Sequence, residues 1–389
     1  MRCSFARMVA RHPARRASVS DSLWRSVRCG AFLLGLLGLV GAVRGGEVQP
    51  WLAGADVSAL ATFERHGAIY RDGRTAGDAL AILRARGVDC FRLRLFVAPS
   101  GVGVETNDLA YTIALAQRVK RTGATLLLDL HYSDTWADPA KQFKPAAWEG
   151  QPLPQLATTV RRYTADVLRA FAAVGAAPDY VQLGNEITNG LLWPEGHVEF
   201  AQRDNAAAWD RLGTLLRAAH DGLADACAAG PRPRTILHLE SPHQLDRLLW
   251  YCRQATAQRV PFDLIGVSYY PDWHGGLAEL RAALGVLAAE FRKPVLVAET
   301  AYPSRKDEHW KDRPHLSWPL TPAGQRRFVR EVAQVVAEVP DGLGAGVVYW
   351  HPEAVPVDGL AVWVGGSCGL FDRKGRVLPA AGELVHPGR

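Results

Sequence analysis

The sequence predicts a single (β/α)8 TIM barrel of the α/β class over residues 47–389. Eight short apolar runs alternate with segments of helical periodicity. The runs are apolar almost throughout, as strands of a parallel sheet covered on both faces must be. No glycine-rich phosphate-binding turn follows the first run, which favours a barrel over a doubly wound sheet. With 389 residues, of which 48% are hydrophobic and 22% charged, the chain is long enough for one such barrel.

The predicted strands are rich in Val, Leu, Ile and aromatic residues. They cover 52–58, 89–97, 124–132, 180–186, 235–240, 264–270, 294–300 and 344–350. Because helices separate them, all eight are expected to run parallel. Their carboxyl ends then meet at one mouth of the barrel, which is where barrel enzymes carry their active sites.

Seven predicted helices lie between these strands. They cover 76–86, 108–123, 155–175, 204–229, 243–257, 276–291 and 321–339. In the second of them, Ile113, Leu115 and Val119 share one face and Gly123 supplies the stop signal. The chain shows no internal repeat, linker or low-complexity stretch, so one catalytic domain is the simplest organisation.

Residues 1–46 are predicted to be a secretory signal peptide. Seven Arg and one Asp precede the apolar run AFLLGLLGLVGAV, and Gly45 and Gly46 follow it closely. That run is shorter than the ~20 residues a membrane span needs. We therefore expect a secreted protein, extracellular or periplasmic, without stable membrane association after processing. An uncleaved anchor is the alternative.

The charge of the chain is concentrated in this leader. The formal net charge is +6, but the first 44 residues carry eight Arg and one Asp, so the remainder is close to neutral. This excludes a nucleic-acid surface as the basis of function. Four cysteines lie outside the leader, with no C-x-x-C spacing that would indicate zinc or redox chemistry. Cys227 and Cys252 could pair, or all four could be free thiols.

Polar and aromatic residues recur at the carboxyl ends of the predicted strands. In chain order they include Arg92, Arg94, His131, Asp134, Trp136, Asn185, Glu186, His238, Glu240, Tyr269, Trp273, His274, Glu299, Trp350 and His351. Each residue alone is also explained by a structural role, such as that of a hydrogen-bonded core histidine, a side chain that caps a loop or a ring that packs at the rim of the barrel. Their recurrence at so many strand ends favours a functional site at the mouth.

Two of these residues, Glu186 and Glu299, follow strands four and seven. Glycoside hydrolysis needs two carboxyl groups flanking one bond. One of them must hold a proton while the other is ionised, and a shared cavity can separate their pKa values in this way. The alternatives are a salt bridge from Glu186 to Arg92 and a loop cap at Glu299. The chain also holds 12 Trp, several in these loops, which suits stacking on sugar rings.

Six stretches carry a resemblance to a known family. They are GADVS, GVDCFRLRLFVAP, LDLHYSDTWADPAKQFKPAAW, VQLGNEITNGLLWP, IGVSYYPDWHG and VAETAYP, and the resemblance as a whole extends from about Gly54 to Tyr349. The chain resembles the endo-β-1,4-galactanases of glycoside hydrolase family 53, which belong to the clan A of (β/α)8 retaining glycosidases. The resemblance implies a monomeric retaining enzyme that acts on galactan or arabinogalactan.

The resemblance also implies a role for each matching residue. Glu186 matches the general acid/base and Glu299 the nucleophile. Asn185 would hydrogen-bond the sugar 2-hydroxyl, and Arg92 would hold Glu299 ionised. Tyr269 would hydrogen-bond the nucleophile, with the neighbouring Tyr270 as the alternative. The full set of expected further substrate contacts is His131, His238, Tyr269, Trp350, Trp136, Asp134 and Trp273.

The departures from the family lie near the C-terminus. The stretch WHPEAVPVDG replaces an expected tryptophan-rich, more acidic one, and the loop 304–318 is basic. The resemblance implies that some bacterial members of the family carry a structural calcium in this part of the barrel. Interleaved Lys and Arg side chains disfavour one here, and no cofactor is predicted. The open alternatives for function are another clan A endoglycanase, on mannan or xylan, and a barrel that binds carbohydrate without catalysis.

Overall fold

The computed structural model of the protein describes residues 49–203, 205–228, 230–311 and 316–388, so the predicted signal peptide lies outside the described residues. Eight parallel strands close into a barrel, in which each strand pairs with the next and the eighth pairs with the first. The strands are β1 (Leu52–Asp56), β2 (Cys90–Leu95), β3 (Thr125–Leu130), β4 (Tyr180–Leu183), β5 (Arg234–Leu239), β6 (Leu264–Ser268), β7 (Val295–Thr300) and β8 (Gly344–Trp350). The predicted (β/α)8 fold and all eight strands are confirmed.

Helices separate the strands along the chain. They are α1 (Leu60–Arg65), α2 (Ala79–Ala85), α3 (Leu109–Arg121), α4 (Leu153–Ala173), α5 (Ala206–Ala226), α6 (Leu245–Ala257), α7 (Leu277–Phe291) and α8 (Pro322–Ala337). The sequence predicts seven of these and misses α1, whose six residues are too few to show a helical period. Asp78, Asp108 and Thr321 cap the first turns of α2, α3 and α8 with their side chains.

The lumen of the barrel changes character along the strands. Its base is an apolar cluster separate from the core between strands and helices, and consists of Leu52, Cys90, Leu127, Tyr180, Ile236, Leu264, Leu296, Ala298, Ala345 and Val348. Two or four residues further along the strands, the side chains of the same parity are polar and buried: Asp56, Arg92, Asp129, Gln182, His238 and Ser268. Since side chains of one parity share a face of a strand, these polar groups form the layer directly above the base.

Neither a membrane span nor a disulfide appears in the part of the chain that the structure describes. No helix there is both long and apolar enough to cross a bilayer. Cys90, Cys227, Cys252 and Cys368 are all free thiols, so the pair that the sequence left open between Cys227 and Cys252 does not form.

Candidate active site

The polar layer opens into a cavity of about 790 Å³ at the mouth of the barrel. Eight of the eleven residues that the sequence predicts for the site line it: Arg92, His131, Trp136, Asn185, Glu186, Trp273, Glu299 and Trp350. The structure therefore brings together residues that are more than 250 positions apart in the chain.

Arg92 organises the floor of this cavity. It is 1% exposed and its guanidinium donates hydrogen bonds to Asp56 at 2.8 Å, to Asp129 at 2.9 Å and to Gln182 at 2.7 Å. Burial alone would raise the pKa of Asp129, but Arg92 and then His131 hold it at about 2. A buried cation is tolerated when charged and polar partners surround it, and Arg92 has them on every donor edge.

Glu299 extends from the end of β7 to meet this floor. Its Oε2 accepts a hydrogen bond from Arg92 Nη1 at 2.9 Å, and its Oε1 accepts one from the Tyr270 hydroxyl at 2.8 Å. Burial raises the pKa of the Glu299 carboxyl, and the Arg92 guanidinium, followed by the Tyr270 hydroxyl, offsets part of that rise. Both contacts favour the ionised form, which is the form a nucleophile needs.

Glu186 stands beyond the end of β4 in a different environment. Gly184, at φ 107°, turns the chain out of the strand, and Glu186 itself has a left-handed φ of 47°. The Ser268 hydroxyl lies beside its carboxyl and favours the ionised form, and among the described residues no cation lies within ion-pair distance of Glu186. Burial raises the pKa of Glu186 well above its usual value, and the negative charge of Glu299 raises it further. Glu186 is thereby suited to hold a proton.

Asn185 lines the cavity with the two carboxyls and contacts Arg92. Its Oδ1 accepts a hydrogen bond from Arg92 Nη2 at 2.8 Å, and its Nδ2 donates one to the Ala137 carbonyl at 2.8 Å. These two bonds fix the orientation of the amide and leave its second N–H available, because a primary amide carries two. The side chain can therefore donate to a substrate hydroxyl without moving.

Aromatic rings and His131 form one wall of the cavity. His131 Nδ1 accepts a hydrogen bond from the Ala137 amide at 3.2 Å, so its Nε2 carries the proton that meets Asp129 Oδ2 at 3.0 Å. Trp136 and Trp350 pack edge to face with centroids 6.2 Å apart, and Trp350 packs likewise on Trp363 at 4.6 Å. Such rigid apolar faces beside hydrogen-bonding groups are typical of sugar-binding clefts, where rings stack on C–H faces.

Comparison with known proteins identifies the family. Residues 52–383 match the model of glycosyl hydrolase family 53. The chain belongs to this family. It is therefore a glycoside hydrolase, and the resemblance stated from its motifs is confirmed.

Relatives in family 53 match along most of their length. A probable arabinogalactan endo-β-1,4-galactanase A of Aspergillus terreus is 38% identical, over 81% of this chain and 88% of its own. An uncharacterised protein of Niallia circulans is 40% identical, over 86% and 94%. The solved catalytic domain from Ignisphaera aggregans superposes with a TM-score of 0.79 at 31% identity, covering 88% of this chain and 97% of that one. A structure from a study of two fungal β-1,4-galactanases gives 0.75 at 31% identity, covering 86% and 99%.

Tyr269 does not occupy the position expected in this family 53 site. It is fully buried, its hydroxyl donates to the Gly275 carbonyl at 3.2 Å, and its ring stacks on Phe328 of α8. Tyr270 makes the contact to Glu299 instead. The reason is strand parity: Ser268 faces the lumen, so the residue two positions later returns to that face and Tyr269 points outward.

His238 and Asp134 also lie outside the cavity lining. His238 is fully buried beneath Glu186, with Nε2 2.9 Å from the Ser268 hydroxyl and Nδ1 3.4 Å from the Glu186 amide. Burial, followed by the charge of Arg92, lowers the pKa of His238 to about 3, so it acts as a neutral support for Glu186. Asp134 accepts hydrogen bonds from the Ala98 and Ala146 amides, both at 2.9 Å, and so fixes two loops.

The site also includes residues that the sequence reasoning passed over. They are Asp56 and Asp129, whose carboxylates accept hydrogen bonds from Arg92, and Ser268, whose hydroxyl lies 2.9 Å from His238 Nε2. Tyr270, the alternative that the sequence offered to Tyr269, contacts Glu299, and Trp363 adds to the aromatic wall. The signal that could have found the first three is their parity on the strands, since each shares a face with the apolar residues of the lumen base.

The described residues contain no cluster of three or more His, Cys, Asp or Glu side chains arranged to hold a metal ion. Asp312 and Arg313, which entered the sequence argument about calcium, lie outside the described residues.

Proposed function

We propose that this family 53 hydrolase is a retaining endo-β-1,4-galactanase, which cleaves β-1,4-galactosidic bonds within galactan and arabinogalactan by a two-glutamate double displacement. The observation that carries the proposal is the contrast between two carboxyls that line one cavity. Glu299 receives hydrogen bonds from Arg92 and Tyr270, whereas Glu186 has the Ser268 hydroxyl beside it and, among the described residues, no cation within ion-pair distance. Named relatives and solved neighbours that are galactanases support the choice of substrate.

In the first step the ionised Glu299 attacks the anomeric carbon of the sugar that Asn185 holds. Glu186 donates its proton to the glycosidic oxygen, the bond to the leaving sugar breaks, and a covalent glycosyl ester forms on Glu299. The Asn185 N–H that remains available would bond the 2-hydroxyl, a contact that strengthens as positive charge develops on the ring. Arg92 and Tyr270 keep the attacking carboxylate fixed in place.

In the second step a water replaces the leaving sugar. Esterification removes the negative charge of Glu299, and with it one of the causes that raise the pKa of Glu186. Glu186 therefore becomes a stronger acid after the first step and is present as the carboxylate that accepts a proton from this water. The water attacks the anomeric carbon from the face that the leaving sugar vacated, the ester bond breaks and releases the Glu299 carboxylate, and the product retains the β configuration.

A panel of polysaccharides tests the substrate. The purified protein is incubated with linear β-1,4-galactan, β-mannan and xylan, and the products are separated by chromatography. We expect galacto-oligosaccharides of several lengths from galactan and no products from the other two. Cleavage of mannan or xylan in place of galactan would contradict the proposal in favour of another endoglycanase. Binding of galactan without cleavage would indicate a carbohydrate-binding barrel.

We also propose that the enzyme is exported and acts as a monomer. The support for export is the basic and apolar pattern of residues 1–46, and the support for a monomer is the resemblance to family 53 that the sequence motifs carry. Expression of the full chain in a bacterial host, followed by N-terminal sequencing of the exported protein, should find the leader removed. Light scattering should give the mass of one chain. An intact leader or a dimer would contradict the corresponding statement.

A further inference from the structure

The cavity contains a further buried carboxylate that the two-step chemistry does not use. Glu240 follows the end of β5, is 5% exposed and lines the cavity together with Glu186 and Glu299. Its Oε1 accepts a hydrogen bond from Arg247 Nη1 at 3.0 Å. Its Oε2 lies 3.8 Å from His274 Nε2, which is beyond hydrogen-bonding distance, and accepts no hydrogen bond from a described residue.

The surroundings of Glu240 hold it in one orientation. Arg247 also donates to Asn189 Oδ1 at 2.8 Å, and Asn189 in turn donates to the Pro139 carbonyl at 2.8 Å. The Glu240 amide donates to the Thr188 hydroxyl at 3.0 Å. One carboxylate oxygen is thus fixed by a chain of bonds, while the other remains available to the cavity, which is the arrangement of a binding group.

The position of Glu240 in the barrel indicates which part of the substrate it meets. Arg92, Asn185 and Trp350 gather at the ends of β2, β4 and β8, and Asn185 holds the reacting sugar on that side. The ends of β5 and β6 fill the opposite arc between Glu186 on β4 and Glu299 on β7. The bond to be cleaved lies between the two carboxyls, so the leaving sugar projects towards the arc that carries Glu240.

Trp273 lies on the same arc, after β6. Its indole is 49% exposed, lines the cavity and packs edge to face on Tyr270 with centroids 5.3 Å apart. An exposed ring beside a buried carboxylate pairs an apolar platform with a hydrogen-bond acceptor. A pyranose presents the matching features, a C–H face and a rim of hydroxyl donors.

We propose that Glu240 is a specificity residue that binds the leaving sugar, accepting hydrogen bonds through Oε2 from the hydroxyls of a neutral hexopyranose that stacks on Trp273. This inference rests on the proposed galactanase function. Because the contact involves only the leaving group, Glu240 contributes to kcat/KM when that group is a sugar. It contributes nothing when the leaving group has no hydroxyls.

The test compares two leaving groups in the Glu240→Ala variant. One substrate is linear β-1,4-galactan, and the other is 4-nitrophenyl β-1,4-galactobioside, whose leaving group is nitrophenolate. Loss of hydrogen bonds to a charged group lowers kcat/KM on galactan by about 10- to 100-fold. On the aryl substrate we expect a change of less than about twofold, since no such bond exists to lose.

Two further variants serve as controls. Glu290→Gln alters a glutamate that also pairs with an arginine, Arg253, but lies on the surface of α7 away from the cavity. This variant should leave kcat/KM unchanged on both substrates. Asn185→Ala alters the side that holds the reacting sugar and should lower kcat/KM on both. If Glu240→Ala does not fold because Arg247 is left unpaired, the double variant Glu240→Leu with Arg247→Leu removes both charges and takes its place.

An equal loss on both substrates, or no loss on galactan, would overturn the inference. An equal loss would assign Glu240 a structural role, and no loss would mean that the leaving sugar does not reach it. These outcomes differ from failure of the proposed function, in which the unmodified enzyme leaves galactan intact.

Discussion

The base and the mouth of the barrel lumen are built from the same strands and differ in what their side chains do. At the base, Leu127 and Cys90 pack with other apolar residues and bring no charge with them. Two residues further along the same strands, on the same inward face, Asp129 and Arg92 are equally buried, but they are charged and hydrogen-bonded to each other. Burying such ions costs desolvation free energy that their attraction only partly offsets. The base therefore stabilises the fold, whereas the mouth gives up stability to hold reacting groups in fixed positions.

Substitution of Glu299, the proposed nucleophile at the mouth, should give the largest loss of activity with the smallest loss of stability. Glu299→Gln keeps the size of the side chain and one carbonyl acceptor, but it cannot form the ester, so kcat on galactan should fall by about 10⁴-fold or more. The melting temperature should fall little or rise, because one of the negative charges around Arg92 is replaced by an amide. Initial-rate assays and calorimetry measure the two. A variant with more than a tenth of the original rate would break the assignment.

Substitution of the acid/base should have the next largest effect, and one that depends on the leaving group. Glu186→Gln cannot donate a proton, so kcat on galactan should fall by about 10²- to 10⁴-fold. The first step with a nitrophenyl galactobioside should suffer less, because nitrophenolate leaves without protonation. Pre-steady-state kinetics on both substrates measures this difference. Equal losses on the two would contradict the role of Glu186 as the acid, and unchanged rates would exclude it from the chemistry.

A substitution at the base should show the opposite pattern. Leu127→Ala removes a fully buried side chain from the apolar cluster, so the free energy of unfolding should fall by about 2–5 kcal/mol. The kcat on galactan below the melting transition should stay within about twofold of the original. Denaturant titration and rate assays on the same preparation test this. If kcat fell strongly while stability held, the division of the lumen into a stabilising base and a catalytic mouth would be wrong.

The smallest effect concerns Glu353, a buried carboxyl behind the mouth whose Oε1 accepts a hydrogen bond from the Ala59 amide at 2.9 Å. Burial, followed by the charge of Asp56, raises its pKa to about 8. The folded state therefore binds a proton that the unfolded state has released, and stability falls as the pH rises from about 4.5 to about 8.

Glu353→Gln removes this titration. The variant should gain about 1–3 kcal/mol relative to the original protein at pH 8, and the gain should shrink towards pH 5. Urea titrations at several pH values measure the difference. A constant difference across this range would show that Glu353 does not titrate in the folded protein.

The barrel could be predicted from the sequence because its strands are apolar runs between amphipathic helices. That Glu186 and Glu299 line one cavity could be predicted because parallel strands deliver their carboxyl ends to one place. The choice between Tyr269 and Tyr270 depends on strand parity at a point where the register between β6 and β7 shifts, next to Ser268. Sequence patterns do not give that register.

The contacts of Arg92 with Asp56 and Asp129, unlike its predicted contact with Glu299, could not be predicted from the sequence for a related reason. Asp56 lies opposite Arg92 in the β1–β2 register, whereas Asp129, on the neighbouring strand β3, lies opposite Arg94 and contacts Arg92 from two positions further along. Which inward residues meet depends on the stagger of neighbouring strands around the closed barrel. The position of His238 below the cavity lining depends on the same stagger, because its depth beneath Glu186 is set by where β5 ends relative to β4.

The most direct test of the account is to trap the intermediate on the nucleophile. The enzyme is incubated with a 2-deoxy-2-fluoro β-galactobioside that carries a dinitrophenyl leaving group, digested, and examined by peptide mass spectrometry. We predict that one fluorinated galactobiosyl group becomes attached to the peptide that contains Glu299, and that Glu299→Gln abolishes the label. A label on the peptide that contains Glu186 or Glu240, or hydrolysis that releases the α-anomer first without any label, would contradict the account.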